Sequence, residues 1–91
     1  MDLELDCQCD CCDYLTLSKK GDSQLCPVCF WEDDPACSFT KADARSEANH
    51  GLTLREARES FCRIGASCDD MLAHVLPPHA RTHFRRVSRA E

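Results

Sequence analysis

Two cysteine pairs carry the chemistry this sequence offers. Cys9-Asp10-Cys11-Cys12 and Cys26-Pro27-Val28-Cys29 each set two thiols two residues apart, with thirteen residues between the pairs. A two-residue gap lets one tight turn aim both sulfurs at the same ion, and thiolate sulfur suits tetrahedral zinc. Cys9, Cys12, Cys26 and Cys29 are therefore the candidate ligands of one structural Zn2+. The linker is slightly shorter than is usual between such pairs but fits a short hairpin. A shell of four thiolates leaves no open position for water or substrate, so it stabilises a fold and does not catalyse.

The choice within the first cluster is looser. Cys7, Cys9, Cys11 and Cys12 fall within six residues and cannot all face one ion. A pairing of Cys7 with Cys11 or Cys12 needs a wider loop, and adjacent Cys11 and Cys12 are sterically awkward together. Whether Cys7 or Cys11 takes the place of Cys9 or Cys12 stays open at this level. A redox pair would want an electropositive setting. Asp6, Asp10, Asp13, Glu32, Asp33 and Asp34 surround these thiols instead and oppose their ionisation. Cys37, Cys62 and Cys68 show no ligand spacing with one another, so no second site with His74, His79 or His83 is expected. The sequence also has no Ser-His-Asp grouping, phosphate-cradling glycine loop or paired-carboxylate cleft, and the expectation is a protein without enzyme activity.

Ninety-one residues make one small domain, which gains limited stability from a single core and often needs a staple. Nine cysteines are an odd number, so they cannot all pair within the chain. Residues 1 to 6 lack the basic and apolar regions of an export signal, and a reducing cytoplasmic setting is expected. Both points favour metal over disulfides. The net charge of -5 argues against a generic nucleic-acid binder and against attachment to an anionic membrane. Charge is uneven: residues 1 to 50 carry four basic against eleven acidic side chains, residues 51 to 91 seven against five.

The elements that must position the thiols follow from local pattern. Tyr14-Leu15-Thr16-Leu17 alternates as a half-buried strand, Ser18 to Asp22 supplies a turn, and Ser23-Gln24-Leu25 is predicted to return antiparallel. Phe30-Trp31 reads as an aromatic lid over the site, and Glu32-Asp33-Asp34 as a solvated run. Residues 32 to 49 read as loop, with His50 in a turn. Thr53 and Glu56 form a capping-box pattern ahead of a helix whose apolar stripe is Leu54, Ala57, Phe61 and Ile64, with Gly65 as its stop. A second short helix is predicted from Cys68 to Leu76, ended by Pro77-Pro78. Residues 79 to 91, with Arg81, Arg85, Arg86 and Arg89, read as a basic flexible tail beyond a single domain spanning 1 to 78.

The runs Cys9-Asp10-Cys11-Cys12-Asp13-Tyr14 and Cys26-Pro27-Val28-Cys29-Phe30-Trp31-Glu32-Asp33-Asp34 resemble the bacterial cysteine-rich CPCC family, whose members are small and expected to bind zinc. The similarity continues through Asn49-His50-Gly51-Leu52-Thr53-Leu54, Glu56-Ala57-Arg58 and Gly65-Ala66-Ser67, covering roughly residues 7 to 78. Asp10 stands where the family has proline and Asp13 where it has glycine. Aspartate tolerates a left-handed backbone better than most residues, so the first turn can survive the change. The resemblance implies no enzyme activity.

The expected fold is α+β: a zinc-ribbon-like antiparallel unit over residues 7 to 34 with one or two helices over 53 to 76. The expected function is non-catalytic binding of a macromolecule. The acidic front half points to a protein partner with a basic surface, one concrete form being a toxin neutralised by an immunity or inhibitor protein. The alternative is a nucleic-acid-binding or transcription-associated zinc ribbon that uses the arginine tail. No membrane and no small-molecule substrate are expected.

Overall fold

A computed structural model describes residues 7–37 and 39–87. Strand β1 (Cys7–Gln8) pairs antiparallel with β2 (Leu15–Leu17), with Cys7 opposite Leu17 and Gln8 opposite Leu15. Strand β3 (Arg45–Ser46) pairs antiparallel with β4 (Leu52–Thr53), which runs directly into helix α1 (Leu54–Ile64). The α+β, zinc-ribbon-like architecture expected from the sequence is the one observed.

The hairpin differs from its sequence prediction in a way that matters for the thiols. Residues 23–25 do not return onto β2. Leu15–Leu17 pairs backward with β1, and Leu25 bridges forward to Glu32. Each cysteine pair therefore sits at the tip of its own small hairpin. The physical reason is local. A tight turn brings its own flanks together at minimal loop-closure cost, whereas joining strands across residues 18–24 closes a longer loop.

The core is built around sulfur. Cys9, Cys12, Cys26, Cys29 and Cys37 are buried together with Leu17, Val28, Trp31, Leu54 and Ala57. Trp31 is the largest buried side chain, while Phe30 beside it is only half-buried and stacks on His74 at 5.2 Å between centroids. The expected aromatic lid is thus split, with one ring in the core and one at the surface.

Helix α1 begins and ends as its sequence requires. The Thr53 hydroxyl accepts the Glu56 N–H at 3.1 Å, and the Glu56 carboxylate accepts the Thr53 N–H at 2.9 Å. Gly65 closes the helix at φ 81, its N–H donating to the Phe61 carbonyl. A β-carbon there would also meet the Arg81 guanidinium at about 3.2 Å.

Three other stretches depart from expectation. Residues 32 to 49 are organised by Asn49, which is buried and clasps the Glu32 backbone, donating to its carbonyl at 2.9 Å and accepting from its N–H at 2.7 Å. The second helix is absent: a single 3-10 turn spans Asp69–Met71, and Leu72 is exposed. A segment this short cannot offset nucleation without a buried face. Residues 79–87 pack on the body. After a 3-10 helix at Pro78–His83, the chain runs antiparallel to β2, with Tyr14 bridging Arg86 and the Leu15 N–H donating to the Arg85 carbonyl at 2.7 Å. Residues 88–91, the end of the expected tail, lie outside the described residues.

Candidate metal centre

The two hairpin tips are the same backbone motif used twice. At the first, the Cys9 N–H donates to Tyr14 and the Asp13 N–H donates to Cys9, at 2.9 and 3.0 Å. At the second, the Cys26 N–H donates to Trp31 and the Phe30 N–H donates to Cys26, at 3.0 and 2.8 Å. The residue after the second cysteine is left-handed in both, Asp13 at φ 70 and Phe30 at φ 66. Aspartate enters that region readily; a bulky aromatic does so rarely and at a cost of about 1 to 2 kcal/mol. The second turn therefore holds strain that a glycine would relieve.

These turns bring four sulfurs to one point. The Sγ atoms of Cys9, Cys12, Cys26 and Cys29 all lie within 4.8 Å of one another, and all four residues are buried. Across the two knuckles, Cys9 faces Cys29 at 3.6 Å and Cys12 faces Cys26 at 3.6 Å. A regular tetrahedron of zinc–sulfur bonds of about 2.3 Å has edges of about 3.8 Å. The two cross-knuckle distances of 3.6 Å are close to that size and the remaining separations are no greater than 4.8 Å, so a tetrahedral ion can be held among the sulfurs. These are the four cysteines singled out by spacing. No other such group occurs among the described residues. Cys37 is buried and donates to the Ala44 carbonyl at 3.3 Å, Cys62 is exposed on α1, and His50 is an exposed left-handed turn residue.

The electrostatics of the four thiols are uneven. The neighbouring thiols, Cys12 first, together with the Thr16 hydroxyl donating at 3.1 Å, hold the Cys26 thiol below its ordinary pKa, and the coupled Cys12 thiol is pushed up. Thr16 is the outer partner that sequence reading missed; its place inside the alternating run Leu15-Thr16-Leu17 marked it as a strand residue and nothing more.

Arg58 was missed as well. From α1 it reaches the first knuckle, donating to the carbonyls of Asp10 at 2.6 Å and Cys11 at 3.3 Å and to the Asp13 carboxylate at 2.8 Å. Arg86 adds a bond to the Cys12 carbonyl at 3.2 Å and lies 3.8 Å from Asp13. The second knuckle is held by backbone instead. The Cys29 carbonyl accepts the Ser67 N–H at 2.9 Å, and the Pro27 carbonyl accepts the Leu76 N–H at 3.1 Å. Asp33, read from sequence as solvated, is buried and pairs with Lys20 at 2.7 Å; Lys20 also lies 3.3 Å from Asp10. Burial pulls the Lys20 ammonium down, but the carboxylates of Asp33 and Asp10 more than offset this and leave it above its usual range.

A family model described as cysteine-rich CPCC matches residues 7–82 of the chain. No curated protein matches it, and no solved structure does. The match spans both knuckles, α1 and the 3-10 segment that follows them.

Proposed function

We propose that this chain, which belongs to the cysteine-rich CPCC family, is a zinc-stabilised module without catalytic activity that works by binding another protein. One observation carries the metal reading: four buried sulfurs, two from each knuckle, lie within 4.8 Å of one another, with 3.6 Å across the knuckles for Cys9–Cys29 and Cys12–Cys26. Zinc is the metal that an all-thiolate tetrahedral shell favours in a protein. Burial of all four ligands leaves no face for substrate, which supports a structural rather than a catalytic ion.

The protein-partner reading rests on charge. The acidic front half would draw a basic surface and raise the rate of encounter. A toxin neutralised by this chain is one concrete form. The nucleic-acid alternative draws less support from the arginines. Arg81 donates to the Leu76 and Gly65 carbonyls and lies 5.3 Å over the Phe61 ring, and Arg86 is turned onto the first knuckle. No helix among the described residues is long and apolar enough to cross a membrane.

Native mass spectrometry of reduced protein tests the metal half: one bound zinc is expected, with Cys9, Cys12, Cys26 and Cys29 resisting alkylation until a chelator is added. Fast alkylation of all four in the presence of zinc would refute it. Co-purification with the product of the neighbouring gene tests the partner half, and a gel shift at low ionic strength that depends on residues 79 to 91 would favour nucleic acid instead.

A further inference from the structure

The arginines that fold back onto the body differ in their counter-ions. Arg58 and Arg86 both reach the Asp13 carboxylate. Arg81 is half-buried, yet among the described residues it forms no ion pair. Its Nε donates to the Leu76 carbonyl at 2.9 Å and its Nη2 to the Gly65 carbonyl at 2.8 Å, while among the described residues Nη1 donates to nothing. The Phe61 ring lies 5.3 Å from the guanidinium carbon, and a β-carbon at position 65 would meet Nη1 at 3.3 Å. Two carbonyls, a ring and a glycine thus fix the fork in place. The carbonyls offer only partial negative charge, so a full positive charge and a donor are left over. That fork stands in the wall of an open groove of about 310 Å³, lined besides Gly65 by Ile64, Leu72, Val75, Leu76, Pro77 and Pro78. No acidic side chain lines it, and Leu72 has 48% of its surface exposed.

We propose that this groove captures the C-terminal carboxylate of a protein partner whose last residue is aliphatic. The carboxylate takes Nη1 of Arg81, and the last side chain lies against Leu72 and Val75. This deepens the protein-partner reading, on which it rests, and owes nothing to the metal. The partner's basic surface and its carboxylate end answer different parts of the chain, residues 1 to 50 and residues 64 to 81. Charge selects the ligand first: an anion completes the guanidinium with a charge-assisted hydrogen bond, and apolar contact covers the exposed aliphatic wall. Size selects next. The groove is at the lower limit of small-molecule sites and takes one or two side chains, not a fatty-acyl chain. A terminal residue carries its carboxylate and its side chain on one Cα, so both fall within the groove together. An internal Asp or Glu brings the carboxylate without the aliphatic group.

NMR titration of the isotope-labelled full chain, purified with zinc, tests this with the minimal probe N-acetyl-Val-Leu. The free-carboxylate probe is expected to shift the Arg81 Nε–H and the Leu72 and Val75 methyl signals saturably, with a dissociation constant on the order of 1 mM. Its C-terminal amide is expected to bind at least about tenfold more weakly, because the charge that meets the guanidinium is gone. Leu72→Asp puts an acid into the groove from an exposed position and is expected to weaken binding at least about tenfold. Leu25→Asp, similarly exposed but outside the groove, is expected to bind as the unsubstituted chain does. Octanoate is expected to bind more weakly than the probe. No saturable shift, equal binding of acid and amide, equal affinity of the two variants, or tighter binding of octanoate each overturns the inference. Co-purification still decides on the partner itself, so the groove can fail while the acidic half keeps its partner.

Discussion

In the first knuckle the carbonyls of Asp10, Cys11 and Cys12 all accept hydrogen bonds from guanidinium groups, those of Arg58 on α1 and Arg86 near the end of the chain. In the second knuckle the carbonyls of Pro27 and Cys29 accept from the backbone of Leu76 and Ser67. The turns themselves superpose in pattern, with the same two hydrogen bonds and the same left-handed residue after the second cysteine. What differs is the anchoring chemistry. The first is held chiefly by charged side chains from 45 or more residues away, around the buried carboxylate of Asp13, with one backbone hydrogen bond from the Val87 N–H to the Asp13 carbonyl; the second is held by peptide groups. Two copies of one cysteine turn thus tolerate change in different ways: the first is vulnerable to single substitutions, the second to shifts of the chain packed against it.

The largest perturbation abolishes the comparison altogether. Cys26→Ser removes one of the four clustered sulfurs, the one that accepts the Thr16 hydroxyl at 3.1 Å. Metal binding in zinc-finger peptides contributes roughly 10 to 16 kcal/mol, as much as or more than the 5 to 15 kcal/mol by which a typical domain is stable. Cys26→Ser protein, or the unsubstituted chain with excess chelator, should therefore be unfolded at room temperature by circular dichroism and by exposure of Trp31 fluorescence. Folded protein in either condition would show that the two knuckles cohere without metal.

Next comes the first anchor. Arg58→Met takes from the Asp13 carboxylate, with 4% of its side chain exposed, a guanidinium partner at 2.8 Å, with Arg86 standing 3.8 Å away. Removing one partner of a buried pair costs about 3 to 5 kcal/mol; with Arg86 still near, about 3 kcal/mol is expected by denaturant unfolding of the metal-loaded protein. A loss below about 1 kcal/mol would mean that the clamp adds little.

A matched pair of substitutions separates the knuckles directly. Phe30→Gly relieves a strained left-handed residue, a gain of roughly 1 to 2 kcal/mol, whereas Asp13→Gly relieves little because aspartate enters that region readily. Asp13→Gly discards the ion pair with Arg58, which keeps the Asp10 and Cys11 carbonyls as partners, and should destabilise by about 2 kcal/mol. Phe30→Gly loses only a half-buried ring stacked on His74, worth roughly 0.5 to 1.5 kcal/mol beyond its burial, and should stay within about 1 kcal/mol of the unsubstituted chain. Equal effects would erase the distinction drawn between the two turns.

The smallest effect lies at the helix that carries Arg58. Thr53→Ala breaks the capping box and should cost about 1 kcal/mol. The Thr53 backbone N–H holds the Glu56 carboxyl below its ordinary range. A depressed carboxylate stabilises the fold above its unfolded pKa of about 4.3 and loses that contribution as pH falls through the lower folded value. Glu56→Gln, which keeps a cap acceptor, should therefore flatten the stability profile below about pH 4.3 relative to the unsubstituted chain.

Much of this arrangement was readable in the sequence where chemistry and spacing coincide in a few neighbouring residues. The C-x2-C pairs named four cysteines that the fold brings together, and Thr53, Glu56 and Gly65 marked both ends of α1. Asp13 announced its left-handed backbone by standing where glycine is usual, while Phe30 gave no such sign. What could not be read was long-range. Nothing local says that Arg58 and Arg86 meet the same turn, that Asn49 clasps Glu32, or that residues 85–87 run beside Tyr14 and Leu15. The acidic run after Trp31 misled for the same reason: Asp33 is buried because Lys20, thirteen residues earlier, is folded onto it.

The central claim is that both knuckles supply two sulfurs each to one ion, and zinc-edge X-ray absorption on the purified, zinc-loaded chain tests it most directly. A single shell of four sulfurs at about 2.3 Å is expected. A first shell containing nitrogen or oxygen, or fewer than four sulfurs, would contradict it.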